Sequence, residues 1–218
     1  LLFPFFFQAT KNNNTMIRRF TGPAVLALFL AFPASGQPLA IHRTASGNAL
    51  NALGAPVARI AVPKGFRYVG ARRFILGGFD DVELHLFADA GADGRVRRLY
   101  WIQFEGYLPN DPLYAHTYKI TRTIGIAGLP FIVDAWPHNS TTVSPGSDDE
   151  QMRGLLKEKG LQLPGRAPAI RLVHLDKARR NELMIIYIED RAAEADGNWP
   201  ALREEMLKRA VTGIAITR

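Results

Sequence analysis

The chain contains no cysteine among its 218 residues. This absence excludes disulfide bonds, thiolate metal ligands, cysteine nucleophiles and lipid attachment at a lipobox. Because no covalent link can hold the fold together, its stability must come from a buried hydrophobic core.

Several motifs that carry a known chemistry are also absent. The chain has no G-x-S-x-G motif, no G-x-G-x-x-G or P-loop order of glycines, and no H-x-H or H-E-x-x-H pair. Four of its histidines lie on four separate segments: His85, His116, His138 and His174. Metal sites usually show closely spaced ligands, so the sequence predicts no metal site and no bound cofactor.

A strong charge of one sign is lacking as well. The formal net charge is +7, and Lys11, Arg18 and Arg19 account for three of these charges, which leaves +4 for the rest of the chain. This excess is too small to predict a nucleic-acid partner. Arginines at predicted strand ends and hairpin tips form either a solvated charge run or a contact with an anionic envelope surface. They are Arg72, Arg73, Arg97, Arg98, Arg179 and Arg180.

The N-terminal region has the three-part pattern of a bacterial-type signal peptide. Met16–Arg19 is a basic start, Thr21–Phe32 is an apolar run, and small residues follow up to Gly36. The apolar run is shorter than the roughly 20 residues that span a bilayer. We therefore expect a signal peptide at 16–36, cleavage near Gly36, no transmembrane span in the mature chain, and a periplasmic or extracellular product.

The sequence thus predicts four parts of the chain. Residues 1–15, which begin without methionine, are interpreted as a non-native or mis-assigned leader, and the signal peptide follows. Residues 37–56 are rich in Ala, Gly, Ser and Asn and predict a flexible lead-in. Residues 57–218 have the usual length of a single domain.

Alternating hydrophobicity and turn residues in this domain predict about six to eight strands, mostly joined as hairpins. Seven predicted strands lie within Phe66–Leu76, Asp81–Ala88, Arg95–Pro109, Tyr114–Ile124, Leu129–Trp136, Ala169–Leu175 and Glu182–Glu189. Val57–Val62 and Ile214–Thr217 are additional candidates for short strands. Two short helices are predicted after the N-cap residues Ser147 and Asn198. The pattern indicates an α+β fold, with a mostly antiparallel curved sheet and both helices packed on one face.

The hairpin of Asp81–Ala88 with Arg95–Pro109 carries the candidate site. Successive side chains of a strand point to opposite faces of its sheet. If the apolar faces of the two strands coincide, their polar and aromatic side chains share the other face. These side chains are Glu83, His85, Phe87, Trp101, Gln103, Glu105 and Tyr107.

Such a face is compatible with three classes of function, and also with an ordinary solvated surface. The first is non-catalytic binding of a small apolar or amphipathic ligand in the cell envelope, under the loop Pro137–Gly146 as a lid. Its predicted contacts are Phe87, Trp101, Gln103, Glu105 and Tyr107. The second is an extracytoplasmic enzyme that uses His85 with Glu83 or Glu105 as an acid–base pair. The third is a protein-interaction module that uses an exposed strand edge or the basic hairpin tips.

Expression from Met16 in a bacterial host tests the export signal. We expect the protein in the periplasm or the medium with Gln37 as its first residue, because signal peptidase cleaves after small residues. Intact mass and N-terminal sequencing give the cleavage point. The double variant Ala34→Leu and Gly36→Leu is the control and should accumulate as the uncleaved precursor. A cytoplasmic product that keeps Met16 would contradict the signal.

Overall fold

The computed structural model of the chain describes residues 39–52, 56–109, 114–137 and 143–218. Within these ranges it contains eleven strands, which form two antiparallel sheets, and two helices. In chain order the elements are β1 (Thr44–Ser46), β2 (Ala49–Asn51), β3 (Arg59–Ala61), β4 (Arg67–Leu76), β5 (Asp80–Ala90), β6 (Val96–Tyr107), β7 (Thr123–Ile126), β8 (Leu129–Trp136), α1 (Asp148–Glu158), β9 (Ala169–Leu175), β10 (Asn181–Glu189), α2 (Ala192–Gly213) and β11 (Ala215–Thr217). The predicted antiparallel α+β class is confirmed.

The larger sheet has seven strands in the order β4-β5-β6-β10-β9-β8-β7. The hairpins β5–β6 and β9–β10 form as predicted, and β6 pairs with β10 along most of its length. The strand β10 is apolar on both faces, which is typical of a strand covered on both sides. Its position near the middle of the sheet agrees with that pattern.

Two hydrophobic cores lie on opposite faces of this sheet. Along β10, Leu183 and Ile185 belong to the core that α2 covers, whereas Met184 and Ile186 belong to the core that α1 covers. The prediction that both helices pack on one face is therefore wrong. A central strand that is apolar on both sides has two faces to bury, and one helix covers each of them.

A second, smaller sheet has the order β1-β2-β3-β11. Two of its strands lie in the segment 37–56, for which the sequence predicts a flexible lead-in, and Ala49 and Leu50 are buried. Strands of three residues are too short to show alternation, so the composition of the segment was misleading. The predicted strand over Ile214–Thr217 forms here as β11 and pairs with β3.

The helix α1 begins as its sequence predicts. The backbone N–H of Glu150 donates to Oγ of Ser147 at 3.2 Å, and three acidic residues occupy the first turn. The helix α2 begins at Ala192, earlier than predicted. It is kinked at Asn198, whose Oδ1 accepts a hydrogen bond from the Ala201 N–H at 3.4 Å. Asn198 therefore caps the second segment of a longer helix.

Residues 114–122 form an irregular segment, although the sequence predicts a strand over Tyr114–Ile124. Two arginines of the β9–β10 turn hold this segment in place. Arg179 Nε donates to the carbonyl of His116 at 2.8 Å, and Arg180 donates to another carbonyl of the segment at 3.1 Å. Weak alternation without a partner strand was not enough to form a strand here.

In the part of the chain that the structure describes, no helix has the length and hydrophobicity needed to cross a bilayer.

The substitution Trp101→Ala tests whether β6 is covered on the α1 side. Trp101 is 4% exposed and belongs to the core under α1. Its removal should lower the free energy of unfolding by about 3 to 5 kcal/mol, because the cavity adds to the lost hydrophobic burial. Urea unfolding followed by circular dichroism measures the change. Trp199→Ala, at a partly exposed indole, is the control and should cost less. Equal losses in both variants would contradict the assignment.

Candidate functional site

The register between β5 and β6 decides which side chains share a face. Directly opposed residues of an antiparallel pair lie on the same face. Trp101 is opposite Leu86, and Gln103 is opposite Leu84, so both share a face with the leucines of β5. Glu83, His85 and Phe87 point to the other face, where Phe87 joins the core under α2. The predicted shared face of Glu83 with Trp101 is therefore wrong.

Three of the predicted site residues do form a connected row along β6. The indole Nε1 of Trp101 donates to Oε1 of Gln103 at 2.7 Å. The amide Nε2 of Gln103 donates to Oε1 of Glu105, and a longer contact of 3.5 Å reaches Oδ2 of Asp148 at the start of α1. Gln103 is 0% exposed, so this row is an internal network and not the floor of an open groove.

Four carboxyl groups gather at the end of this row, on the α1 side of the sheet, and are called the carboxylate cluster below. They are Asp80, Glu105, Asp148 and Glu182. Strand register places Glu182 directly opposite Glu105, and Asp80 opposite Tyr107. Asp148 joins them because α1 begins above β6.

Burial and mutual repulsion shift the cluster toward its neutral forms. Burial, and then the charges of Glu182 and Asp80, raise the pKa of Glu105 well above its usual value. Burial raises the pKa of Glu182 to about 7 against the opposing hydrogen bond from Tyr118. Burial also raises the pKa of Asp80 to about 6, although hydrogen bonds with Glu105 and the Gly106 backbone oppose the rise. Close carboxylates cannot all ionise without a compensating positive charge.

His116 and Tyr118, from the irregular segment, complete the site. Tyr118 donates its hydroxyl to Glu182, at 2.7 Å from Oε2. The Nδ1 atom of His116 lies 3.3 Å from the same Oε2. Donor atoms of Asp80, Glu105 and His116 all lie within 4.8 Å of one another. In the described part of the chain, His116 Nε2 and Asp80 Oδ1 are buried without a hydrogen-bond partner.

Two pockets adjoin the carboxylate cluster. The first, called the strand-end pocket, has a volume of about 260 Å³, and Glu105 and Tyr107 are among its lining residues. The second, called the indole pocket, has a volume of about 220 Å³. Its lining residues are Trp101, Trp136, Asp148, Asp149, Arg171, Ile186 and Ile188. Gln103 contacts Glu105, which lines the strand-end pocket, and Asp148, which lines the indole pocket.

The predicted acid–base pair lies on the other face of the sheet. Nε2 of His85 is 2.8 Å from Oε1 of Glu83, and its Nδ1 is 3.1 Å from the hydroxyl of Tyr68. His85 is 0% exposed. Glu83 also accepts the backbone N–H groups of His42 and Arg43 at 3.0 Å each. This network anchors the segment before β1, and Glu105, the alternative partner for His85, lies on the opposite face.

The six predicted surface arginines have partners within the chain. Arg73 pairs with Asp81, Arg97 and Arg98 pair with Asp89, and Arg72 pairs with Glu158. Arg179 and Arg180 donate to backbone carbonyls of the irregular segment and of β6. These contacts give each arginine a structural role, and the predicted contact with an anionic envelope surface stays a prediction.

Other predictions fall on residues outside the described ranges. They are the leader and signal peptide over residues 1–36, and the centre of the loop Pro137–Gly146, which includes His138.

Most of the carboxylate cluster has no signal in the sequence. Asp148 follows the N-cap residue Ser147, where acidic residues are common, and Asp80 and Glu182 stand at strand starts, where charged residues are common as well. No other histidine is near His116 in sequence. The one available signal was Glu105, an acidic residue in an otherwise aromatic and β-branched strand.

No protein-family model, curated protein or solved structure matches this chain. Any function must therefore be argued from the geometry and chemistry of its own residues.

The variant Glu83→Gln tests the network on the α2 side. Burial alone would raise the pKa of Glu83, but hydrogen bonds from His85 and His42 and the charge of Arg43 lower it to about 2. The folded state therefore resists protonation that the unfolded state accepts, and stability falls as the pH drops from about 4.5 toward 2. The whole effect amounts to about 3 kcal/mol.

Urea unfolding at a series of pH values measures this dependence. Glu83→Gln should be less stable near neutral pH and should lose much of the decline below pH 4.5. Glu158→Gln, at an exposed carboxylate of α1, is the control and should keep it. An unchanged acid profile in Glu83→Gln would disprove the assigned role.

Proposed function

We propose that this protein is an exported, non-catalytic binding protein for a small amphipathic molecule, which it holds in the indole pocket. The support for export is the signal-like pattern before Gln37. The observation that carries the binding proposal is the pairing of Trp101 and Trp136 in one pocket with two isoleucines of β10. Binding sites for small molecules are mostly apolar, with a few polar groups that orient the ligand.

The polar side of the indole pocket favours a hydrogen-bond acceptor on the ligand. Arg171 holds a salt bridge to Asp134 at 2.6 Å, and its Nε has no partner in the described part of the chain. Asp148 lies on the same side of the pocket, and burial raises the pKa of its carboxyl group. A carboxylate or sulfonate group on the ligand fits the unpartnered Nε–H donor of Arg171, while the indoles contact its apolar body.

The strand-end pocket supports ligand binding less well, because its charged groups already satisfy one another. Arg73 donates to both carboxylate oxygens of Asp81, and Arg43 lies 3.4 Å from Glu83. A ligand with an apolar body would have to compete with these ion pairs and desolvate them.

The two alternative functions have weaker support. An acid–base enzyme needs a ring nitrogen that a substrate can reach, and both nitrogens of the buried His85 already have partners. An interaction module is favoured by Tyr68 and Ile75, two exposed apolar side chains on the edge strand β4. Arg67, Arg72 and Arg73 on the same strand are charges of the kind that discourage pairing at a sheet edge.

Titration with 1-anilinonaphthalene-8-sulfonate, an aromatic sulfonate, tests the indole pocket. We expect saturable binding by the folded protein. Trp136→Ala and Arg171→Gln should each weaken it about tenfold, which corresponds to about 1.4 kcal/mol. Fluorescence of the dye measures the affinity, and near-UV circular dichroism confirms that each variant is folded.

Trp199→Ala is the matched control, because it removes an indole packed against the core under α2. It should leave the affinity unchanged. Equal affinity of Trp136→Ala and the unchanged protein would refute binding in the indole pocket. Native mass spectrometry of the purified protein provides a second readout, through the mass of any molecule that co-purifies.

A further inference from the structure

Asp80, Glu105 and His116 bring two carboxylates and one imidazole together. Asp80 and His116 are each 3% exposed, and one donor atom of each of the three residues lies within 4.8 Å of the others. They come from the start of β5, the end of β6 and the irregular segment. We infer that these three side chains form a binding site for a divalent transition-metal ion.

Two unpartnered atoms distinguish this site from an ordinary acidic cluster. Nε2 of His116 and Oδ1 of Asp80 are buried and have no hydrogen-bond partner among the described residues. A buried polar atom without a partner costs free energy of desolvation that nothing offsets. A metal ion bound between them would offer both atoms a coordination bond and would balance the two carboxylate charges.

The surroundings of His116 match those of a metal-binding imidazole. Ligating histidines usually direct their second ring nitrogen at a carboxylate, which orients the ring. Here Nδ1 of His116 lies 3.3 Å from Oε2 of Glu182, and Nε2, which has no partner, is the ligand atom of the inference. Tyr118 donates to Glu182 at 2.7 Å and fixes that carboxylate in turn.

The donor set indicates the class of ion. Calcium takes six to eight oxygen ligands and magnesium prefers oxygen donors in an octahedron, so an imidazole favours neither. Zinc and manganese accept mixed nitrogen and carboxylate ligands at about 2.0 to 2.2 Å from the metal. Ligand atoms on one such ion are about 3.4 Å apart, whereas the three donor atoms lie within 4.8 Å of one another, so the side chains would move closer by up to about 1.4 Å when the ion binds.

The site has a route to solvent through Glu105, which is partly exposed and lines the strand-end pocket. One of the three ligands is therefore accessible from solvent. The inference does not depend on ligand binding in the indole pocket, since the three ligands lie outside the lining of that pocket.

Metal binding is tested with protein that carries no histidine tag and has been stripped with EDTA. After dialysis against zinc chloride or manganese chloride near neutral pH, mass spectrometry of the metal content should show one ion per chain. Isothermal titration calorimetry gives the affinity, and the midpoint of thermal unfolding should rise when the ion is present. Saturable binding of either ion at this stoichiometry supports the inference.

Substitutions of the ligands locate the ion. Glu105→Gln and His116→Gln should each weaken binding at least about a hundredfold, and Glu182→Gln about ten- to a hundredfold through the loss of ring orientation. Glu105→Gln should fold normally, because glutamine has the shape of the neutral acid and relieves repulsion within the cluster. It therefore keeps the test decisive if His116→Gln fails to fold.

His174→Gln is the matched control, since His174 is also buried but contacts the carbonyl of Pro130. This variant should bind the ion as the unchanged protein does. The inference is overturned if neither zinc nor manganese binds at one per chain, or if Glu105→Gln binds as tightly as the unchanged protein.

Discussion

The fold depends on the burial of β6 and β10 on both faces. These paired strands supply apolar side chains to both cores, so the large sheet needs a helix on each side. Few positions on these two strands therefore remain for polar side chains. They collect where β6 ends and β10 begins, on the α1 side, and there Glu105 and Glu182 face each other across the pair. The candidate site is thus the polar end of an otherwise apolar layer.

Much of the fold could be predicted because its signals are local. The alternation within β5 and β8, the cap at Ser147 and the apolar run of β10 each need only neighbouring residues. The pairing register of β5 against β6 cannot be predicted from neighbouring residues alone. Both Leu84 and Phe87 are buried, on opposite faces, so matching apolar sides could not decide which face Glu83 occupies. A one-residue difference in register reverses every side chain, and this is why the predicted face failed.

The carboxylate cluster could not be predicted, because its members are distant in sequence and each has an ordinary local explanation. Asp148 is a good residue for the first turn of a helix, and Asp80 follows a turn that contains glycines. His116 approaches Glu182 only because the arginines of the β9–β10 turn hold the irregular segment there. Such a site depends on tertiary contacts, and tertiary contacts between irregular segments leave no periodic pattern.

The carboxylate cluster lowers the stability of the folded protein, and this loss of stability argues that the cluster has a function. Asp80 and Glu182 are buried and Glu105 and Asp148 are partly exposed, and these four carboxyl groups repel one another or must take up protons. The contacts of Gln103 fix the orientation of its side-chain amide. Its oxygen accepts from Trp101, so its N–H₂ group must face Glu105 and Asp148. An ion bound to Glu105 would keep that carboxylate charged. The charged carboxylate would form a stronger hydrogen bond with the Gln103 amide, and the longer contact between this amide and Asp148 would weaken. If both proposed sites exist, occupation of one should therefore alter the hydrogen-bonding capacity of the other.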